Sequence, residues 1–346
     1  MNVRAHDSRV IKPDINTFFT THSQKSIESH NLALCISYTK KQTFISTNTI
    51  VTSQEKSQEF ILLTLEDNAN PRESRCIIGI YPNIDECRLD QVQATRDWLL
   101  MRRKLTKPLP TGKYPIVFAP GIGGILIHEI IGHQFELSKP HSLYSPTKYP
   151  KGSKLFSENL TVIDAPLSLV VKEDFDDEGT PTRPTTLIKN GAIGSPLTDK
   201  DTLSFYPKNK YPLTGNCRRE SYRHYPEPRM YSTYAENGTD SAIQVINDIE
   251  HGFYVEQISH AQVNHRKGTV MLCAGRAKII QRGTVTDTPV TFYIEEDISS
   301  FFDVKHVCDD LLLQPGICHS ASGGLYIEHG SPTLVFDNIY VRSGLI

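Results

Sequence analysis

The sequence predicts an α+β fold, with a small N-terminal α+β domain followed by a β-rich C-terminal domain that carries one buried helix. Three observations lead there. Strand-like runs between polar turns dominate the 346 residues, and helical periodicity is confined to a few segments. The one almost wholly apolar helical stretch, GIGGILIHEIIGHQFE at Gly121 to Glu136, directly follows a strand. With 38% hydrophobic and 22% charged residues the chain can bury a sizeable core and divide into two domains, expected at 1–104 and 105–346.

The N-terminal elements follow in order. Asn31 to Tyr38 (NLALCISY), Thr43 to Val51 and Phe60 to Leu65 read as strands, closed by the polar loop EDNANPRES. Asp85 to Lys104 reads as a helix with Leu89, Val92, Trp98 and Leu99 near helical spacing. Its basic end, Arg102, Arg103 and Lys104, suits a solvated helix C-terminus. LTKPLPTGK then reads as a linker.

Beyond the linker, YPIVFAP reads as a buried strand that feeds the helix through Gly121, Gly123 and Gly124. Later strands are LTVID, TTLIK with an Asn190-Gly191 turn, TVMLCAGRAKII ending at Arg282-Gly283, PVTFYI and PTLVFDNIYV. Between them Asp240 or Ser241 can cap a helix whose Ala242, Ile243, Ile246 and Ile249 share a face, with Gly252 stopping it. There is no internal repeat or low-complexity tract.

Composition excludes several classes of function. A formal charge of −2 supplies neither the basic field of a nucleic-acid binder nor an acidic solvating tail. The opening MNVRAHDSRVIKPD is too polar for a signal peptide, and no window reaches roughly eighteen apolar residues. A cytoplasmic chain with no membrane or nucleic-acid partner is expected. Cys35, Cys76, Cys87, Cys217, Cys273, Cys308 and Cys318 are scattered without a CxxC pair, which argues against a disulfide framework or a structural zinc knuckle.

The apolar helix raises the chemical question, because His128, Glu129 and His133 are costly in such a run unless they are partnered. Zinc peptidases place HExxH on a helix, where positions i and i+4 share one face. Here the spacing is HExxxH, and in a regular α-helix i and i+5 diverge by about 140°. A single π-type turn would restore convergence, and Gly132 offers backbone freedom there. Zinc would supply Glu129 with a partner charge and a water to deprotonate. A third ligand is open at this point, with Glu136 and His141 nearby and Cys217, Cys308 and Cys318 remote. Pro315 and Gly316 before Cys318 suggest a thiolate presented on a loop.

Further blocks add to the motif: DDEGTP at Asp176 to Pro181, TGNCRRESYRHYPEPRM at Thr214 to Met230, EHGFY at Glu250 to Tyr254, and GIC at Gly316 to Cys318 followed by GSPTLVFDN. In this order, with YPIVFAPGIGGILIHEIIGHQFE, they resemble the TldD/PmbA family of metallopeptidases, on the TldD side, from about Lys113 to Gly344. The resemblance implies Zn2+ as cofactor, His128, His133 and Cys318 as its ligands, and Glu129 as the general base. It matches Glu136 to a family position, suited to orienting an imidazole. It implies hydrolysis of unfolded or flexible peptides by a homodimer, or by a heterodimer with a TldE/PmbA-like subunit. It also leaves room for a specialised biosynthetic enzyme processing a peptide or amino-acyl conjugate, and for a non-catalytic subunit.

Tyr222 and His224 are candidates for the substrate cleft, whereas Arg218, Arg219 and Glu220 read as a network bracing a loop. Asp176, Asp177 and Glu178 read as a turn or a subunit contact. Three departures from the family pattern stand out: a shortened N-terminal domain, EQISHAQV where a glycine-rich stretch is usual, and His319 where glycine usually follows the cysteine. His319 is thereby a candidate for substrate contact, and His319 and His260 are possible extra ligands.

Overall fold

The computed structural model describes residues 17–29, 32–47, 50–67, 75–81, 89–102, 111–138, 146, 148–167, 171, 173–207 and 210–343. The opening segment, most of the EDNANPRES loop and of the LTKPLPTGK linker, Arg103, Lys104, Cys87 and His141 lie outside the described residues. The α+β class holds, with strands far outnumbering helical turns.

A four-stranded antiparallel sheet comes first, with β1 (Thr17–Ser29), β2 (Leu32–Thr47), β3 (Ile50–Asp67) and β4 (Arg75–Tyr81) side by side. Strands β1 and β4 were not anticipated. The expected strand Thr43 to Val51 instead spans the end of β2 and the start of β3, which pair as a hairpin through Thr47 and Ile50. Polar stretches such as TKKQT and SQEKSQE show no apolar alternation, so cross-strand hydrogen bonding decides their state. Helix α1 (Leu89–Arg102) packs Trp98 and Leu99 against Leu65 of β3, and Trp98 Nε1 donates to the distant Gly275 carbonyl at 3.0 Å.

After α1 come β5 (Gly112–Phe118), the helix of the motif, β6 (Val162–Ala165), β7 (Thr185–Lys189), β8 (Ala192–Ile193), β9 (Cys217–Arg218), β10 (Glu227–Pro228) and β11 (Ser232–Ala235). The remaining strands are β12 (His251–Asn264), β13 (Thr269–Gln281), β14 (Thr284–Asp297), β15 (His306–Val307), β16 (Leu312–Ser320), β17 (Gly323–Ser331) and β18 (Leu334–Ser343). One six-stranded sheet runs β14-β13-β12-β5-β18-β15, and an additional β14–β18 pairing curls it into a closed ring. Its core is aromatic, with edge-on Phe118 and Phe336 at 5.8 Å and tilted Phe253 and Phe292 at 4.9 Å between ring centroids. The other six-stranded sheet runs β16-β17-β11-β6-β7-β8.

The motif helix, α2 (residues 124–135), lies between the two sheets, touching β12 on one side and β11 and β17 on the other. This explains its apolar character all round: Leu126, Ile127, Ile130, Ile131 and Phe135 are buried on every side. Gly121, at φ 82, makes the sharp exit from β5 that a residue with a Cβ would resist, and its N–H donates to the Ser331 carbonyl at 2.8 Å. The helix begins as an α-turn (Gly124–Leu126), continues as a π-helix (Ile127–Gly132) and closes as an α-turn (His133–Phe135). Glu136 then turns extended and bridges to Leu197.

Two local expectations are corrected. Gly132 sits at ordinary helical angles, φ −50 and ψ −53, so it is not needed for backbone freedom. A Cβ there would instead overlap the Met230 sulfur, so the requirement is for space. Gly252 does not stop the later helix, which spans Ala242–Asn247 with Asp248 at its C-cap; Gly252 already belongs to β12. No described helix is long and apolar enough to cross a membrane.

The Gly132 packing can be tested directly. Gly132→Ala should destabilise the protein by about 1–3 kcal/mol through overpacking, and adding Met230→Ala should recover part of that loss. Denaturant unfolding of the two variants beside the wild type measures both effects.

Candidate metal centre

The spacing of His128 and His133 is accommodated by the π-turn. The His133 N–H donates to the His128 carbonyl, an i to i−5 bond that stacks the two residues one above the other. Their rings meet edge to face with centroids 4.8 Å apart. Both are buried, which follows from the position of α2 between two sheets.

Cys318 reaches the same point from the other sheet. It was expected on a loop, but it lies within β16 opposite Leu325 of β17. Pro315 does not break this strand because β16 is the edge of its sheet, where a residue without an N–H is tolerated. Cys318 Sγ lies 3.4 Å from His133 Nε2, and one ligand atom from each of His128, His133 and Cys318 falls within 4.8 Å of the others. Among the described residues this group includes neither His260 nor His319, both of which are exposed. Nor does it include Cys217 or Cys308.

Electrostatics separates the three thiols. Burial alone would push the Cys318 thiol up, but the charges and hydrogen bonds of His128 and His133 hold it down at about 5. Burial and the nearby Glu178 and Asp199 push Cys217 upward, and burial with Asp310 pushes Cys308 up to about 12. Burial also opposes protonation of His133, yet Glu136 and Cys318 raise it to about 10. A donor set of two imidazoles and a thiolate ready to deprotonate fits zinc, and these three residues could hold it with a position left open.

Around them the carboxylates divide into two environments. Glu129 is partly exposed, with Oε2 4.0 Å from His133 Nε2 on the open side of the cluster. Glu136 is fully buried and accepts from His133 Nδ1 at 2.8 Å, which leaves Nε2 of that ring to face Cys318. Arg229, also buried, closes this arrangement: its Nε lies 3.4 Å from Glu136 Oε1, and its Nη2 donates to the Cys318 carbonyl at 2.8 Å. One guanidinium therefore ties the strand of the thiol to the carboxylate behind His133. Sequence reading missed Arg229; the available signal was a lone cation inside the strand-like run RMYSTYA.

The remaining candidates sit farther out. Arg218 donates to the Met230 and Tyr326 carbonyls and stacks on Tyr231 at 4.2 Å, bracing strands rather than pairing with Glu220. Glu220 accepts from the Gly324 N–H, and Arg219 offers its own N–H to Asp177. Asp176 accepts N–H bonds from Glu178, Thr180 and Cys217, pinning the DDEGTP turn to β9. His224 bonds Ser221 Oγ at 3.0 Å and packs over Gly323, and exposed Tyr222 stacks with Arg223. His319 packs on Gly324. A further imidazole, His265 at the tip of the β12–β13 hairpin, brings its ring centroid to 6.2 Å from that of His133. EQISHAQVNH reads as polar and gave no sign that this hairpin returns to the centre.

Comparison with known proteins places the chain in a family. Residues 111–343 match the family model PmbA/TldA metallopeptidase C-terminal domain. The chain is similar to the "Metalloprotease TldD homolog" of Buchnera aphidicola subsp. Acyrthosiphon pisum (strain APS), 27% identical over 90% of this chain and 67% of the relative. It is also similar to the "Zinc metalloprotease TldD homolog" of Saccharolobus solfataricus, 26% identical over 64% of this chain and 49% of that relative. The chain thus spans about half to two thirds of the length of these curated relatives. Its fold superposes on the crystal structure of TldE from Thermococcus kodakarensis with a TM-score of 0.67 at 20% identity, covering 90% of this chain and 68% of that one.

Two outcomes are expected. Arg229→Met should leave Glu136 buried without its cation and cost about 3–5 kcal/mol in denaturant unfolding. In protein stripped of metal by a chelator, the stability due to the Cys318 thiolate is complete above its ordinary pKa of 9.0 and lost as pH falls through about 5. That due to His133 is complete below 6.5 and lost as pH rises through about 10. The combined contribution peaks between 6.5 and 9.0. Thiolate ultraviolet absorbance of the wild type minus Cys318→Ala, followed against pH beside thermal unfolding, checks both limbs.

Proposed function

The chain belongs to the PmbA/TldD family of metallopeptidases, and we propose that it is a zinc-dependent peptidase acting on unfolded or flexible peptides, with His128, His133 and Cys318 as ligands and Glu129 as general base. The observation that carries this reading is the convergence of two imidazoles and one thiol, with a partly exposed carboxylate left beside them. When bound, zinc would supply Lewis-acid polarisation of the scissile carbonyl and acidify the attacking water.

The protein's own groups then have separable tasks. Glu129 takes a proton from the water and passes it to the departing amine. Its partial exposure suits a group that must meet both. Glu136, buried and bonded to Nδ1, holds the tautomer of His133 that offers Nε2. Arg229 keeps Glu136 charged and fixes the carbonyl of Cys318, so that the thiolate and the imidazole hold their separation. An extended peptide would dock as an added strand on a sheet edge, where main-chain bonding tolerates many sequences. A second subunit, either another copy or a TldE-type chain, would enclose the site; the fold shared with TldE supports this pairing.

The decisive comparison is Glu129→Gln with Cys318→Ala. The first should retain zinc by metal analysis and lose about 10²–10⁴-fold in peptide turnover; the second should lose the metal itself. Undiminished peptide cleavage by Glu129→Gln would overturn the assignment of the base.

A further inference from the structure

The two imidazoles of the centre are supported unequally. His133 has Glu136 behind it, but His128 Nδ1 is buried and meets no hydrogen-bond partner among the described residues. One nitrogen of the His128 ring lies within 4.8 Å of the ligand atoms of His133 and Cys318. If Nε2 takes a cation there, the ring proton must sit on Nδ1, which then needs an acceptor.

One neighbouring side chain has the complementary deficit. His329, on β17, is half-buried, and its buried Nδ1 is likewise unpartnered. With a proton on Nε2, this Nδ1 is a lone-pair acceptor.

The placement of the two rings follows from backbone geometry. The Nδ1 edge of His329 lies against Gly124 of α2, 2.8 Å from where a Cβ would stand. A helical side chain leans toward the N-terminus and covers the preceding turn. From position 128 that turn is the one at Gly124, and the missing side chain of Gly124 makes the room that His329 enters. The charge of His128 is felt at His329. Two buried ring nitrogens without partners thus lie against one turn of the helix.

We propose that His329 is the positioning residue for His128: its unprotonated Nδ1 accepts a hydrogen bond from His128 Nδ1–H when His128 offers Nε2 to a cation. The centre would then be held asymmetrically, by an anionic carboxylate behind His133 and a neutral imidazole behind His128. This inference rests on the reading of His128 as a metal ligand.

The test uses the full chain, stripped of metal and titrated with zinc against a competing chelator. His329→Leu should weaken zinc binding about 10–100-fold, and His329→Gln, which keeps an acceptor, should recover most of it. In zinc-loaded wild type, nitrogen-15 NMR of the histidines should show His128 Nδ1–H protected from exchange and coupled to His329 Nδ1, a signature that a purely structural role would not produce. A folded His329→Leu binding zinc as tightly as wild type overturns the inference, as does a His128 Nδ1–H in the wild type without coupling to His329. Should His329→Leu not fold, the wild-type spectrum and His329→Gln decide. A wild type that takes up no zinc overturns the metal reading itself, and this inference with it.

Discussion

A hydrogen bond from the His133 N–H to the His128 carbonyl sets the geometry on which the centre depends, because this π-type turn brings together two side chains that a regular α-helix would splay apart by about 140°. Such a turn is strained relative to an α-helix and persists only where its surroundings hold it. Here they do so on both sides: β12 packs against one face of α2 and β11 and β17 against the other. The Met230 sulfur occupies the space at Gly132, and the β17 backbone lies against Gly124. Tight packing of this kind converts a locally unfavourable turn into a fixed part of the core.

Around that turn the buried charges form a balanced set. Glu136 and Arg229 compensate each other, and the Cys318 thiolate faces the proton on His133. Each would be costly alone in this environment. A divalent cation would replace the proton between His133 and Cys318 without disturbing Glu136 or Arg229, so the centre can be organised before it is filled. Its weak side is His128, whose Nδ1 has no partner among the described residues, and this is where the imidazole of His329 enters.

The site is assembled from distant stretches of chain, and their roles differ. α2 contributes two imidazoles and the free carboxylate, β16 contributes the thiol, and the strand-flanking Arg229 joins the two. Loops around it, including the Asp176 turn and the segment from Glu220 to His224, are fastened by backbone hydrogen bonds to side-chain oxygens. The four-stranded N-terminal sheet and α1 attach through contacts such as Trp98 with Gly275, and β4 lies against β16, the strand of the thiol.

Sequence alone determined the elements with strong local signals: the α+β class, the apolar strand feeding α2, and the need for a π-turn, which follows from HExxxH and the pitch of a helix. The polar second half of β12 was invisible because inter-strand hydrogen bonds with β13, rather than a strong apolar pattern, hold it. Cys318 was named through a family resemblance, and its placement on an edge strand rather than a loop was settled by pairing with β17. Arg229, His265 and His329 carry no local motif. Their importance comes from where two sheets bring them against one helix, and that proximity depends on packing between segments far apart in the chain, which no local pattern of residues encodes.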